Sequence, residues 1–176
     1  VRLLPISALR PCDRNEPGAA RNLFPTPRFT IDGPQVSNGR FSVSGNAEVT
    51  WNLKNPSRHI VHTLTWTRLA DGRTGTGSGD RIQKPLAGGI SEGFSVAGTR
   101  SWQGQHGHWQ LDINDVEMRW ADPAPQAGSL VLTTPADKTI TLVFERVDAD
   151  TIGVTASGGN RSFELKVTKL GAVSSK

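Results

Sequence analysis

The sequence contains no tyrosine, one cysteine (Cys12) and one methionine (Met118) in 176 residues. A single thiol excludes a disulfide within these residues and excludes a cysteine-rich zinc site. No apolar run approaches the ~20 residues of a membrane-crossing helix. Strands rich in Thr, with no Tyr for aromatic girdles, argue against a lipid-facing barrel. Gly-x-Ser-x-Gly spacing occurs once, at 89–93, but no helical pattern follows it as a nucleophile elbow requires, and Cys12 lies far from any histidine in sequence, so neither nucleophile is assigned. No segment carries the apolar period of an amphipathic helix.

Basic residues are in modest excess, 20 Lys and Arg against 16 Asp and Glu, for a formal charge of +4. They are scattered rather than clustered. Arg2, Arg10, Arg14, Arg21 and Arg28 gather near the N-terminus with only Phe24 and Phe29 as aromatics. That pattern lacks the aromatic interleaving or reading helix of a nucleic-acid binder, so nucleic acid is not the expected partner.

What is present is alternation. In "FSVSGNAEVTWNL" (41–53), Phe41, Val43, Gly45, Ala47, Val49, Trp51 and Leu53 fall on one side and polar residues on the other. That period of two marks a half-buried strand. "HIVHTLTWTRL" (59–69) repeats it, and further strands read around Phe94–Val96, Trp109–Ile113, Val116–Trp120, Ile140–Phe144, Ile152–Val154 and Phe163–Val167. The apolar phase slips between Ile113 and Val116, which predicts a bulge at "ND". "SNGR" (37–40) and "ADGR" (70–73) carry pairs suited to type I′ hairpins. "VDAD" (147–150) and "SGGN" (157–160) also separate short strands, and "DRIQKPLAGG" (80–89) and "ADPAPQAG" (121–128) read as longer links. Connections this short pair neighbours antiparallel.

The expected fold is therefore all-β, an antiparallel meander of about ten strands closing as a β-sandwich or barrel. The domain spans 28–170, preceded by an extended arm at 1–27 with five prolines and followed by a short tail at 171–176. A brief echo, "FSVSG" (41–45) and "FSVAG" (94–98), ends within five residues and reads as a shared strand-and-bend solution rather than a repeat array.

Candidate sites follow from residue type. "WQGQHGHW" (102–109) sets His106 and His108 between Trp102 and Trp109. His-x-His on a strand supplies two ligands of the three or four a metal needs, so no metal or cofactor is assigned. The alternative is a hairpin tip relaxed by Gly104 and Gly107. His62 and Arg100 share the phase of apolar neighbours and read as cavity-lining residues. The five tryptophans all lie in the apolar phase, which places most of them in the core; Trp102 and Trp109, beside the loop, are the candidates for sugar stacking. "DGRTGTGSGD" (71–80) leads into no helix and reads as a flexible hairpin arm, not a phosphate cradle. Asp112, Asp115 and Glu117 read as exposed acids on a bulged strand.

The function expected from these features is non-enzymatic. The leading reading is an extracytoplasmic β-domain acting through protein contacts or self-association, with Leu3, Leu4, Ile6 and Leu9 of the arm docking on a neighbour as an added strand. The second is a carbohydrate-binding module using Trp102 and Trp109. The third is a small-ligand or metal-binding barrel lined by His62, Arg100, His106 and His108.

Overall fold

A computed structural model describes residues 28–32, 36–37 and 39–175. The arm at 1–27, with its apolar Leu3, Leu4, Ile6 and Leu9 and with Cys12, lies outside the described residues. Twelve strands follow in chain order: β1 (Arg28–Asp32), β2 (Val36–Ser37), β3 (Phe41–Asn52), β4 (Ser57–Arg68), β5 (Thr74–Leu86), β6 (Gly89–Gly104), β7 (Gly107–Arg119), β8 (Ala127–Thr133), β9 (Thr139–Arg146), β10 (Thr151–Gly158), β11 (Arg161–Thr168) and β12 (Val173–Ser175). They make one antiparallel sheet, ordered β1-β3-β4-β5-β6-β7-β8-β9-β10-β11-β12, with β2 alongside β3. The meander is as expected, with ten strands of five residues or more and two short ones.

Closure is not as expected. Among the described residues no pairing joins the β1 edge to the β12 edge and no second sheet forms, so neither sandwich nor barrel results. Alternation in sequence says that one face is apolar; it does not say what covers that face. The segment at 171–176 also takes part in the sheet, because Val173–Ser175 pairs with Leu165–Val167.

The cross-strand register carries one apolar face from end to end. Val43 stands beside Trp66, Leu64 beside Gly77, Gly77 beside Trp102 and Trp102 beside Trp109. Leu111 then meets Leu132, Leu132 meets Ile140, Phe144 meets Val154 and Val154 meets Leu165. The opposite face carries Ser and Thr in lateral rows such as Ser44, Thr65 and Thr76. Burial is thin. The buried hydrophobic residues are Val96, Ile113, Val116, Phe144 and Ile152, the first three packed with Phe94, Leu111 and Leu130. The tryptophans are not core: Trp102 is 36% exposed, Trp120 is 63% exposed, and Trp51, Trp66 and Trp109 are half-buried. A single-layer sheet supplies no opposing layer to cover rings of that size.

Two glycines bend the sheet. Gly45 and Gly98, the last residues of the two "FSV-x-G" stretches, have φ of +147° and +137°. In each case a neighbouring strand's carbonyl, Thr63 O or Asp80 O, stands where a Cβ would be. Only glycine accepts both the backbone angle and the close approach. The shared strand-and-bend solution is thus visible in the backbone.

The bulge lies where the phase slip put it. On β7, Val116 pairs with Val96 and Ile113 with Gly98, and Asp115 takes a left-handed φ of +44°. Other local expectations change. Residues 80–89 and the glycine-rich 71–80 are not a link and a loose arm, because Thr74–Leu86 is one strand of 13 residues. Long neighbours on both sides supply ladder bonds that outweigh the poor strand propensity of glycine. Pro85 sits at the strand's end, where the register with β6 shifts, so the missing donor falls at an irregularity. "ADGR" does not form a two-residue turn: Arg68 N donates to Arg73 O across a four-residue loop, and Gly72 N donates to Arg68 O.

Candidate functional site

The ends of β3 to β7 converge on a trough in the apolar face. Its outer part is a cavity of about 390 Å³ lined by Phe41, Trp66, Trp102 and Trp109, with Arg68, Arg73, Gln103, Gln105 and His106 at its rim. An inner cavity of about 240 Å³ continues from it and is lined by Val43, His62, Leu64, Gly77, Ser78 and Arg100. Trp66 and Trp102 wall both parts. From Arg68 to His62 the trough follows six residues of β4, roughly 20 Å of strand.

The glycines of β5 make the floor. Gly75, Gly77 and Gly79 lie in the apolar phase, opposite Trp66, Leu64 and His62 on β4. The Trp66 indole lies over Gly75, and the His62 ring lies over Gly79, each occupying the space of a Cβ. Gly77 differs. A Cβ there meets only Ser101 O and Trp102 Cδ1, both at 3.5 Å, which is ordinary contact. Phe41 and Trp66 meet edge to face at 6.2 Å between ring centroids. Sequence reading passed over this floor because three glycines in six residues look like a loop; their alternation in phase with Trp66 and Trp102 was the available signal.

The residues of "WQGQHGHW" separate. Trp102 and Trp109 are directly paired across β6 and β7, and Gly104 pairs with Gly107 to close a two-residue turn at Gln105–His106. His106 is exposed at that tip and faces the outer cavity. His108 pairs with Gln103, one residue out of phase with the Trp102–Trp109 pair, and does not line the outer cavity. Gly107 holds a φ of +98°, with Pro135 of the β8–β9 connection packed where its Cβ would be. Among the described residues no three or more His, Cys, Asp or Glu side chains are placed to hold a metal ion.

His62 and Arg100 share the inner cavity. The imidazole is held below its ordinary value of 6.5, first by burial and then by the charges of Arg81 and Arg100. Arg81 in turn is pushed down by burial, Arg100 and Arg58. His59, on the polar face, instead meets Asp80 at 2.5 Å. The rim cations share one acceptor: Arg68 pairs with Asp71, and Arg73 Nε lies 3.1 Å from the same carboxylate. These partners hold the Asp71 carboxyl down at about 2, chiefly through the Arg68 hydrogen bond.

The acids of "DINDVE" do not converge on this trough. Asp112 accepts from Gln110 Nε2 at 3.0 Å, Glu117 accepts from Gln126 Nε2 at 2.9 Å, and Asp115 is the bulge residue. The described residues thus form an all-β domain without evident catalytic machinery, and no helix among them is long and apolar enough to cross a membrane. Comparison with known families, with curated proteins and with solved structures finds no match, so the trough is read from its own geometry.

Proposed function

We propose that this chain is a non-enzymatic binding domain that seats a small, largely apolar ligand in the trough between β3 and β7. The observation that carries the reading is the outer cavity of about 390 Å³, walled by four aromatic rings on a sheet face that no second layer covers among the described residues. Its volume falls in the range of small-molecule sites, and its lining has the usual balance of apolar walls and a few polar groups at the rim. Of the three readings taken from sequence, the small-ligand one gains most from this geometry, in an open sheet rather than a barrel and without a metal.

The test is titration with N-phenyl-1-naphthylamine, an uncharged apolar fluorophore. Binding is expected to enhance its fluorescence and quench the protein's tryptophans. Trp102→Ala and the plugging substitution Gly77→Leu are expected to weaken it, since Gly77 has room for a side chain directed into the trough. No binding to the wild type, or binding untouched by the plug, would refute the reading. A panel of neutral oligosaccharides in the same assay addresses Trp102 and Trp109 as a sugar platform.

Protein contact remains a second reading, supported by the apolar residues exposed on the same face farther along the sheet. There Ile140, Phe163 and Val173 are 42%, 60% and 63% exposed. Sedimentation equilibrium tests it: a concentration-independent monomer of 18.9 kDa excludes self-association.

A further inference from the structure

Cations set into an apolar sheet face are costly unless paired. Arg146 shows the ordinary solution. Its guanidinium pairs with Asp122, donates to Gln126 Oε1 at 3.0 Å, and reaches the Asp148 and Ala149 carbonyls at 3.3 Å. Arg58 donates to Gln83 Oε1 and lies 5.7 Å from the Trp51 ring centroid.

Arg81 and Arg100 are different. Both are half-buried on the apolar face, and the Nε of each is buried with no hydrogen-bond partner among the described residues. Each faces a glycine across the β5–β6 pair, Arg81 beside Gly98 and Arg100 beside Gly79, so no neighbouring side chain is present to accept. The one acid in the apolar phase of β3 to β7 is Glu92, near the far end of β6 and paired with Arg119 at 3.2 Å, and none of the ion pairs formed among the described residues includes Arg81 or Arg100. The depressed His62 imidazole beside them agrees with an unneutralised positive centre.

Resting on the ligand-binding reading above, we propose that the trough takes an amphiphile with one acidic headgroup, the anion held by Arg81 and Arg100 and the apolar chain running toward Phe41, Trp66, Trp102 and Trp109. The direction follows from charge. The rim arginines already share the Asp71 carboxylate, whereas neither inner arginine has a carboxylate partner among the described residues. Guanidinium bonds to carboxylate or phosphate are short and charge-assisted, and a water-poor setting strengthens them. Arg100 lines the inner cavity that Trp66 and Trp102 join to the aromatic one, so head and chain sites are continuous.

The experiment measures displacement of N-phenyl-1-naphthylamine by palmitate, by hexadecyl phosphate and by methyl palmitate, each below its aggregation threshold. Both anions are expected to displace the probe at about tenfold lower concentration than the ester, the size of one charge-assisted hydrogen bond. The stronger of the two anions identifies the headgroup chemistry. In R81Q/R100Q the anion advantage is expected to vanish while the ester is unchanged, and R81K/R100K is expected to keep part of it. Equal displacement by acid and ester from the wild type overturns the proposal while leaving the apolar trough standing, and this comparison needs no variant to fold. An anion advantage that survives R81Q/R100Q also overturns it. If the neutral probe itself fails to bind the wild type, the ligand-binding reading falls and this proposal with it.

Discussion

His62 and Gly79 share one space: the Cε1 of the imidazole stands where a Cβ on the glycine would be. The glycine is thus required by the ring opposite it on β4, not by a turn. Gly79→Ala is expected to push His62 out of the trough and to cost about 1–3 kcal/mol, the usual penalty of overpacking. Gly77→Ala, whose Cβ would make only ordinary contacts at 3.5 Å, is expected to stay within about 0.5 kcal/mol of wild type. Urea unfolding of both variants checks the contrast; equal losses would show that the ring does not rest on the glycine.

Gly45 and Gly98 make a second pair. Both carry positive φ and both have a neighbouring carbonyl in the Cβ position. Alanine at either is expected to destabilise by more than about 1 kcal/mol, because the backbone itself must move. Thermal melts report the loss. Unchanged melting in either variant would remove the bend from the account of the fold.

The depressed His62 titration has a definite sign. Above pH 6.5 the imidazole is neutral in folded and unfolded chains alike, and it contributes no pH dependence. As the pH falls through 6.5 the unfolded chain takes a proton that the folded one resists, so stability declines. His62→Gln is expected to flatten that decline below pH 6.5. Denaturant midpoints across the window test it, and a steeper slope in the variant would contradict it.

Asp71 works in the opposite range. Its carboxylate, clasped by Arg68 and Arg73, titrates at about 2 instead of 3.8. The stabilisation is present above 3.8 and is lost as the pH falls toward 2. Asp71→Asn is expected to lower the melting temperature slightly at pH 7 and to match wild type at pH 2. The clasp is solvent-exposed, so added salt is expected to shrink the difference.

Strand period and the β7 bulge were legible because both are written in side-chain phase: Val116 follows Ile113 by three residues where two or four would keep the face. Phase cannot report tertiary cover, so the sequence could not distinguish an open sheet from a closed one, and the tryptophans were misplaced into a core. His62 and Arg100 were marked by polarity in an apolar phase. Arg81, equally placed, was missed because "DRIQKPLAGG" was read as a link rather than as the second half of β5. The histidine pair of "WQGQHGHW" stands out by residue type alone, and alternation does not place His106, which sits in the turn that the Gly104–Gly107 pair closes.

From β3 onward each strand pairs with the strand before it and the strand after it in the chain. Every new strand therefore closes only a hairpin-sized loop, and its entropy cost does not grow as the sheet widens. Such a ladder can lengthen in the order in which residues leave the ribosome, with β3 to β7 in place before β12 has been made. A chain that ends early would lose strands from the β12 edge inward while keeping the trough.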